Sequence, residues 1–302
     1  MLGDVAIDVA QVLQLVAVQF PAWAGLAVEP VRSSGTEHAI FRLGPDMAVR
    51  MPRGAWATPQ IEKEHQWLPR LKLLPLRIPE SLGIGEPGAG YPWRWAIHSW
   101  LPGQEAAGRI TDFDEAAVTL GRFVAALQRI DASDGPRSGP LNHNRGMPLA
   151  ERDQRTRAAI GQIGEFDQAE MMAAWEEAVA AAPWNGAPVW VHGDLHTHNL
   201  LVENGRITGV IDFGCLSVGD PAADLMAAWT VLPASSRRIF RDCVEADDAS
   251  WLRGRGTALS TAAMALPYYR QRDPALAELS RRTIAEVLAE RGGNRAARRA
   301  SR

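Results

Sequence analysis

Apolar residues repeat with helical spacing over much of this chain, but short β-rich runs interrupt that pattern in two regions. The first region, residues 28–103, holds three runs separated by turn signals at Ser34-Gly35 and Gly44-Pro45, and two more around a glycine-rich turn. The second, residues 189–211, contains short runs joined by Asn204-Gly205, a strong hairpin signal. Helical periodicity covers residues 5–20, 57–74, 112–130, 149–163, 167–182, 224–232, 235–244, 249–266 and 274–290. The pattern predicts an α+β fold with a small sheet-bearing N-terminal part and a mainly helical C-terminal part.

Polar side chains in the second region fall on loops at the ends of the β-rich runs. They form three clusters, HGDLHTHN, IDFG and GDPAAD, within residues 192–224. A carboxylate or amide on a loop held by strands reaches a cleft without disrupting the core. Asp194, Asn199 five residues later and Asp212 in a DFG turn are the residue types with which phosphoryl transfer orients a hydroxyl and binds magnesium.

These three motifs, in this order, resemble the signature of the aminoglycoside phosphotransferase family, whose fold is similar to that of protein kinases. The resemblance extends from about Val28 to the helices near Glu290. It implies a bilobal, protein-kinase-like fold in which Asp194 is catalytic, with Asn199 and Asp212 as ligands of Mg²⁺. The nucleotide cofactor implied is ATP, with GTP as a possible alternative.

The same resemblance assigns nucleotide-binding residues in the N-terminal part. Ser34 and Gly35 lie in the loop expected over the phosphates, where small residues let backbone amides approach. Arg50 stands where most kinases have a lysine, and Arg53 is the other candidate cation. Arginine and lysine differ in geometry at phosphate sites, so this substitution is not neutral.

Two further assignments follow from the resemblance. Glu62 and Glu64 are the candidates for the carboxylate that orients the cation, and the apolar pattern of their helix favours Glu64. The hinge beside the adenine is expected around His98, with Ser99, Trp100 and Leu101 acting mainly through backbone groups.

The expected domain organisation is a nucleotide-binding lobe in residues 1–102, including a helical extension over 1–27, and a catalytic and substrate-binding lobe in 103–290. Residues 291–302 contain five arginines and little apolar content, which predicts a disordered basic tail. Residues 131–148 are rich in Gly, Pro, Ser and Asn, which favours a mobile surface loop. The alternative is a wall of the substrate cleft lined by Asn142, His143, Asn144 and Arg145.

Composition narrows the class of protein. A hydrophobic content of 46% suffices for a buried core, and a formal charge of −3 gives no nucleic-acid signature. Two cysteines form no disulfide framework, and no stretch has the length and apolarity of a membrane span, so a cytoplasmic location without nucleic-acid or membrane partners is expected. His192, His196 and His198 lack the spacing of hydrolytic zinc sites. Loop support is the preferred interpretation for His192 and His196, and His198 lies outside the fixed pattern of the motif.

The predicted function is a small-molecule kinase that transfers the γ-phosphate of ATP or GTP to a hydroxyl of an aminoglycoside-type antibiotic or related metabolite. Macrolides, choline or homoserine are alternative acceptors, and a catalytically inactive nucleotide-binding module is a further alternative. An acceptor of the aminoglycoside class calls for an acidic wall, whereas Trp229, Tyr268 and Tyr269 are candidates for a more apolar site. The candidate acidic residues are Asp153, Glu165, Asp167, Glu170 and Asp273.

Overall fold

A computed structural model describes residues 7–31 and 37–300, with the side chains of 294–300 excepted. The chain divides into two compact units. The first contains residues up to 103 together with 209–214, and the second contains residues 104–208 and those from 215 onward. Among the catalytic candidates, Asp212 therefore belongs to the first unit, and Asp194 and Asn199 belong to the second.

The first unit is built on a five-stranded sheet in the order β1-β2-β3-β5-β4, with antiparallel neighbours throughout. Helix α1 precedes the sheet, and helix α2 lies between β3 and β4 in the chain. The elements are α1 (Val9–Gln19), β1 (Val28–Val31), β2 (His38–Leu43), β3 (Met47–Pro52), α2 (Thr58–Trp67), β4 (Ser81–Gly85) and β5 (Trp95–Ser99).

Apolar periodicity explains how α1 joins this sheet. Its buried residues Val12, Leu15 and Val16 belong to one hydrophobic core with Phe41 and Trp95 of the strands. Asp8 caps the helix by accepting a hydrogen bond from the Gln11 amide at 2.7 Å. The N-terminal helical segment therefore packs on the sheet.

The second unit is mainly helical, as the spacing of its apolar residues predicts. Its strands form an antiparallel pair, β10-β7, and a small sheet in the order β6-β8-β9. The strands are β6 (Gln104–Glu105), β7 (Val189–Val191), β8 (Leu200–Glu203), β9 (Arg206–Val210) and β10 (Ser217–Gly219). The last two residues of β9, Gly209 and Val210, are counted with the first unit. The helices are α3 (Phe113–Gln128), α4 (Asp153–Ile160), α5 (Gln168–Val179), α6 (Ala222–Leu225), α7 (Ala227–Thr230), α8 (Arg237–Cys243), α9 (Asp248–Tyr269) and α10 (Pro274–Ala300).

Two expectations about helices need correction. The helix expected over 224–232 is divided into α6 and α7. The tail expected to be disordered from residue 291 instead continues α10 as far as Ala300. Alanine and arginine have high helix propensity and no proline interrupts this segment, so a helix already formed over 274–290 can propagate through it. Among the described residues, no helix is long and apolar enough to cross a membrane.

Candidate active site

In the first unit, a buried ion pair joins β3 to α2. Arg50 Nη1 lies 3.0 Å from Glu64 Oε1 and 2.9 Å from Oε2, and the Glu64 side chain is fully buried. Glu62, the alternative candidate, instead pairs with Arg94 at 3.0 Å on the surface. The two carboxylates lie two residues apart on one helix, so they point in different directions, and only Glu64 faces Arg50.

Burial dominates the electrostatics of this pair. It raises the pKa of Glu64 to about 7, although the Arg50 guanidinium opposes the rise. His38 and His98 flank the pair, and burial together with Arg50 lowers the pKa of both imidazoles well below the ordinary value. Neutral His38 accepts from Arg50 through Nδ1 at 3.5 Å. Glu64 and the more distant Asp212 oppose the charge of Arg50 with their carboxylates, and Glu37 acts on Arg50 in the same direction.

Asp212 begins the DFG turn in a strained backbone conformation. Its φ is +62°, in the left-handed region, and Oδ1 accepts from the Gly214 amide at 3.3 Å. The same oxygen lies 3.7 Å from Arg50 Nη2, and the side chain is 44% exposed. Lys63 on α2 donates its ammonium to the carbonyl of Gly214. One of the two lysines of the chain therefore holds this turn, and an arginine occupies the position expected for the phosphate-binding lysine.

The remaining nucleotide-binding assignments have different outcomes. Ser34 and Gly35 lie outside the described residues. Ser99 ends β5 and its amide donates to Glu80 O at 2.8 Å, while the Trp100 amide donates to Asp46 O at 2.7 Å. These two amides are thus used within the first unit. Leu101 follows on an irregular segment and is half-buried.

In the second unit, the loop between β7 and β8 brings Asp194 and Asn199 together. Asn199 Nδ2 donates to the backbone oxygen of Asp194 at 2.9 Å and lies 3.3 Å from its Oδ2. The Asn199 amide also donates to His196 O at 2.9 Å, which closes the loop on itself. The spacing of five residues in the sequence thus becomes a direct contact.

Buried Asp224 anchors the start of this loop. Its Oδ2 accepts from the His192 amide at 2.8 Å, and its Oδ1 accepts from the Gly193 amide at 2.7 Å. Burial raises the pKa of Asp224 to about 7, in spite of these two bonds. The buried His192 ring in turn accepts from the Asp194 amide through Nδ1 at 3.2 Å. The first motif and the GDPAAD turn therefore support each other.

Arg145 fixes the carboxylate of Asp194 from the loop before α4. Its Nη2 lies 3.0 Å from Asp194 Oδ1, and its stem packs over Gly193, where a Cβ would lie 2.7 Å from that of Arg145. Gly193 also has φ +81°, so both the space and the backbone conformation require glycine. Burial alone raises the pKa of Asp194, but Arg145 and then His196 outweigh it and hold this pKa below its ordinary value.

The histidines of the loop have separate partners. His196 Nε2 lies 3.4 Å from Asp194 Oδ2, and His198 Nδ1 lies 2.7 Å from Glu105 Oε2 on β6. The hydrogen bond from His198 lowers the pKa of Glu105. Within the described parts of the chain, no group of three or more His, Cys, Asp or Glu side chains is placed to hold a metal ion.

The two candidate magnesium ligands each offer an oxygen. Asn199 uses its amide nitrogen on Asp194, which leaves its Oδ1 without a hydrogen bond to any described residue. Asp212 uses Oδ1 on Gly214 and Arg50, which leaves Oδ2 similarly unbonded among the described residues. Amide and carboxylate oxygens are the donors that Mg²⁺ prefers, so both residues have the chemistry that this ion requires.

The comparisons with known proteins decide the family. Residues 27–273 match the family model described as "Phosphotransferase enzyme family". This chain belongs to that family. An aminoglycoside 3'-phosphotransferase of Escherichia coli is 24% identical over 213 residues, or 68% of this chain and 72% of that protein. Another of the same name, from Streptomyces fradiae, is 30% identical over 155 residues, or 48% of this chain and 56% of that one.

Solved structures confirm the α+β, protein-kinase-like fold. The GDP complex of aminoglycoside 2'-phosphotransferase-IIIa aligns with a TM-score of 0.70 and 18% identity, covering 94% of this chain and 100% of that one. Macrolide 2'-phosphotransferase MphH from Brachybacterium faecium aligns with a TM-score of 0.63 and 22% identity, covering 92% and 97%. The protein is thus a phosphotransferase with the fold that its motifs predict.

Sequence motifs did not mark every residue around Asp194. Arg145 was only one of several polar residues in an aperiodic loop, and Arg152 and Thr261 lie in helical stretches without any local signal. The structure places all three in one chain of contacts that begins at Asp194. A motif search reads residues close in sequence, whereas these three come from three separate segments.

Proposed function

We propose that this phosphotransferase moves the γ-phosphoryl group of ATP or GTP to the hydroxyl of a small molecule, and that Asp194 receives or orients the hydroxyl proton. The observation that carries the proposal is the support of Asp194, whose oxygens lie 3.0 Å from Arg145, 3.4 Å from His196 and 3.3 Å from Asn199. A carboxylate held from several sides can direct a hydroxyl with little rearrangement, and positioning supplies much of the rate in this chemistry.

Nucleotide binding is assigned to the first unit. Arg50, held by Glu64, is the proposed cation for the phosphates, and its second nitrogen points toward Asp212. Mg²⁺, when bound, would neutralise phosphate oxygens, and Asn199 and Asp212 are the residues proposed to hold it. The names of related proteins, which include complexes with GDP and with ADP, support a purine nucleotide as donor.

The names of relatives also supply the first acceptors to test. Aminoglycoside phosphotransferases and macrolide phosphotransferases both occur among the similar proteins, so the two antibiotic classes come first. Choline and homoserine represent the smaller metabolites. Trp229 is 1% exposed and donates through Nε1 to Glu290 at 2.9 Å, which favours a role in the core over one in an acceptor site.

An inactive nucleotide-binding module is the competing proposal. Arg50 in place of lysine supports it, because the two cations are not interchangeable at a phosphate. The close contacts among Asp194, Asn199 and Arg145 oppose it, since a nucleotide-binding module needs no such support around a carboxylate.

The test is acceptor-dependent turnover of ATP and GTP, with phosphorylated product identified by mass spectrometry. Asp194→Asn keeps the size of the side chain and removes the carboxylate, so kcat is expected to fall about 10²- to 10⁴-fold. Asp242→Asn is the control, because Asp242 is 69% exposed on α8 and pairs only loosely with Arg238 at 3.7 Å. Undiminished turnover in Asp194→Asn would refute the proposed role. Nucleotide binding without turnover of any acceptor would favour the inactive module.

A further inference from the structure

Two buried arginines share one hydroxyl beside Asp194. Arg145 donates through Nη1 to Thr261 Oγ1 and through Nη2 to Asp194 Oδ1. Arg152, at the end of the short turn Leu149–Arg152, lies with Nη2 3.4 Å from the same Thr261 oxygen. We call Arg145, Arg152 and Thr261 the arginine cluster. All three residues and Asp194 belong to the second unit.

The arginine cluster contains more hydrogen-bond donors than acceptors. Arg152 is only 5% exposed, and no described carboxylate lies within ion-pair distance of it. Burial and the neighbouring charge of Arg145 lower the pKa of Arg152 to about 9. The Nε of Arg145 is also buried and has no hydrogen-bond partner in the part of the chain that the structure describes. Buried charges and donors without partners cost free energy, so a missing acceptor is indicated.

The ionisable side chains around the arginine cluster do not supply a carboxylate acceptor for Arg152. Asp194 is the carboxylate in contact with Arg145. Cys215 acts on both arginines, in part through a side-chain hydrogen bond with Arg145, and Tyr269 acts on Arg145, but these residues carry a thiol and a phenol and not a carboxylate. Asp224 feels the charge of Arg145, yet both of its oxygens accept backbone amides at 2.7 and 2.8 Å.

The five residues expected to form an acidic wall also have partners of their own. Three of its members form ion pairs, and two cap helices by accepting backbone amides. The pairs are Asp153 with Arg157 at 2.8 Å, Glu165 with Arg270 and Arg281 at 3.2 and 2.7 Å, and Glu170 with Arg291. The caps are Asp167 on α5 and Asp273 on α10. All five carboxylates thus have partners within the described part of the chain, and the two capping aspartates use only their Oδ1 atoms there.

We propose that the acceptor of this enzyme carries an anionic group, a carboxylate or a phosphate, which binds Arg152 and Arg145 while its hydroxyl faces Asp194. The proposal rests on the proposed function, because Asp194 defines where the hydroxyl lies. Guanidinium groups bind carboxylate and phosphate oxygens through two parallel hydrogen bonds, which matches the unused donors. Since Arg145 contacts Asp194 directly, the anionic group and the reacting hydroxyl belong to one small molecule.

The first experiment compares acceptors that differ by one anionic group, using the full chain. The pairs are glycerate or glycerol 3-phosphate against glycerol, homoserine against 3-aminopropan-1-ol, and gluconate against sorbitol, with kanamycin as a polycation. The anionic member of at least one pair is expected to exceed its neutral partner about tenfold or more in kcat/KM, because ionic hydrogen bonds in a buried site discriminate strongly. Higher kcat/KM for kanamycin or for every neutral member would overturn the proposal.

Variants of Arg152 test whether this residue causes the preference for anionic acceptors. Arg152→Gln is expected to abolish it, mainly by raising KM for the anionic acceptor, and Arg152→Lys is expected to retain part of it. Arg255→Gln is the matched control, because Arg255 is 2% exposed but pairs with Glu177 at 2.9 Å, away from Asp194. An unchanged preference in Arg152→Gln would overturn the proposal. Removal of an uncompensated buried charge should not prevent folding, and thermal unfolding checks this.

Binding of small anions, measured without turnover, tests the anionic site independently of the reaction. Malonate and inorganic phosphate are expected to raise the midpoint of thermal unfolding of the wild-type protein and of Arg255→Gln, but not that of Arg152→Gln. Stabilisation that is absent, or equal in all three proteins, would overturn the anionic site. If no acceptor is phosphorylated and malonate still protects in an Arg152-dependent way, the proposed reaction fails and the anionic site stands.

Discussion

Arg145 Nη2 lies 3.0 Å from Asp194 Oδ1, so a residue from an aperiodic loop holds the carboxylate on which the proposed chemistry depends. Arg145 is itself held, because its Nη1 donates to Thr261 on α9 and its stem packs on Gly193. The loop over residues 131–148 thus contributes a side chain to the candidate active site.

Replacement of Arg145 should impair turnover without removing the carboxylate. In Arg145→Ala, Asp194 loses the contact that fixes its rotamer, and kcat is expected to fall about 10²-fold. Arg145→Lys is expected to recover part of this loss, because an ammonium can reach one partner but not both Asp194 and Thr261. Steady-state kinetics at saturating nucleotide and acceptor measure the effect. A kcat equal to wild type in Arg145→Ala would contradict a positioning role.

Replacement of Arg50 with the lysine that most kinases have at this position should weaken nucleotide binding. Its Nη1 bonds Glu64, while its Nη2 contacts His38 and points toward Asp212, and one ammonium cannot occupy both positions. An ammonium also cannot make the two parallel bonds that a guanidinium makes to a phosphate, and loss of one such charge-assisted bond costs about 1.5 kcal/mol or more, which corresponds to roughly tenfold in nucleotide Kd. Titration of Arg50→Lys with ATP and GTP tests this. Arg94→Lys is the control, since Arg94 pairs with Glu62 at the surface; equal Kd values in the two variants would refute the prediction.

Glu64 should make stability depend on pH. Its pKa is raised to about 7 in the folded protein, against 4.5 as its ordinary value. Between these values the folded state keeps a proton that the unfolded state has lost, so the free energy of unfolding falls as pH rises. The full difference corresponds to about 3 kcal/mol. Urea unfolding between roughly pH 4.5 and 7.5 should therefore show a shallower decline in Glu64→Gln than in wild type. Parallel curves would show that Glu64 does not titrate in this range.

The sequence predicted the parts of this site that are local in the chain. Asp194 and Asn199 lie on one loop, and five residues of separation bring them into contact. The apolar face of α2 favoured Glu64 over Glu62, because helical periodicity determines which carboxylate is buried. The pairing of the expected acidic residues could not be predicted, since the arginines that pair with Glu165 and Glu170 come from distant positions. The arginine cluster was unpredictable for the same reason, as it joins a loop, a short turn and α9.

Asp224, the last residue of the GDPAAD motif and part of α6, should support the catalytic loop through its carboxylate. Asp224→Ala leaves the buried amides of His192 and Gly193 without their acceptor. Each lost bond to a charged group costs about 1.5 kcal/mol or more, so a loss near 3 kcal/mol is expected, with a decrease of roughly 6–12 °C in the thermal midpoint.

Turnover at temperatures where Asp224→Ala remains folded should also fall, because His192 and Gly193 determine where Asp194 begins. Asp224→Asn keeps one acceptor oxygen and is expected to be intermediate in both measurements. Asp248→Ala is the control, because this carboxylate is 93% exposed and pairs with Arg241 at the surface. If Asp224→Ala matches this control in thermal midpoint and kcat, the loop does not depend on Asp224 for its position.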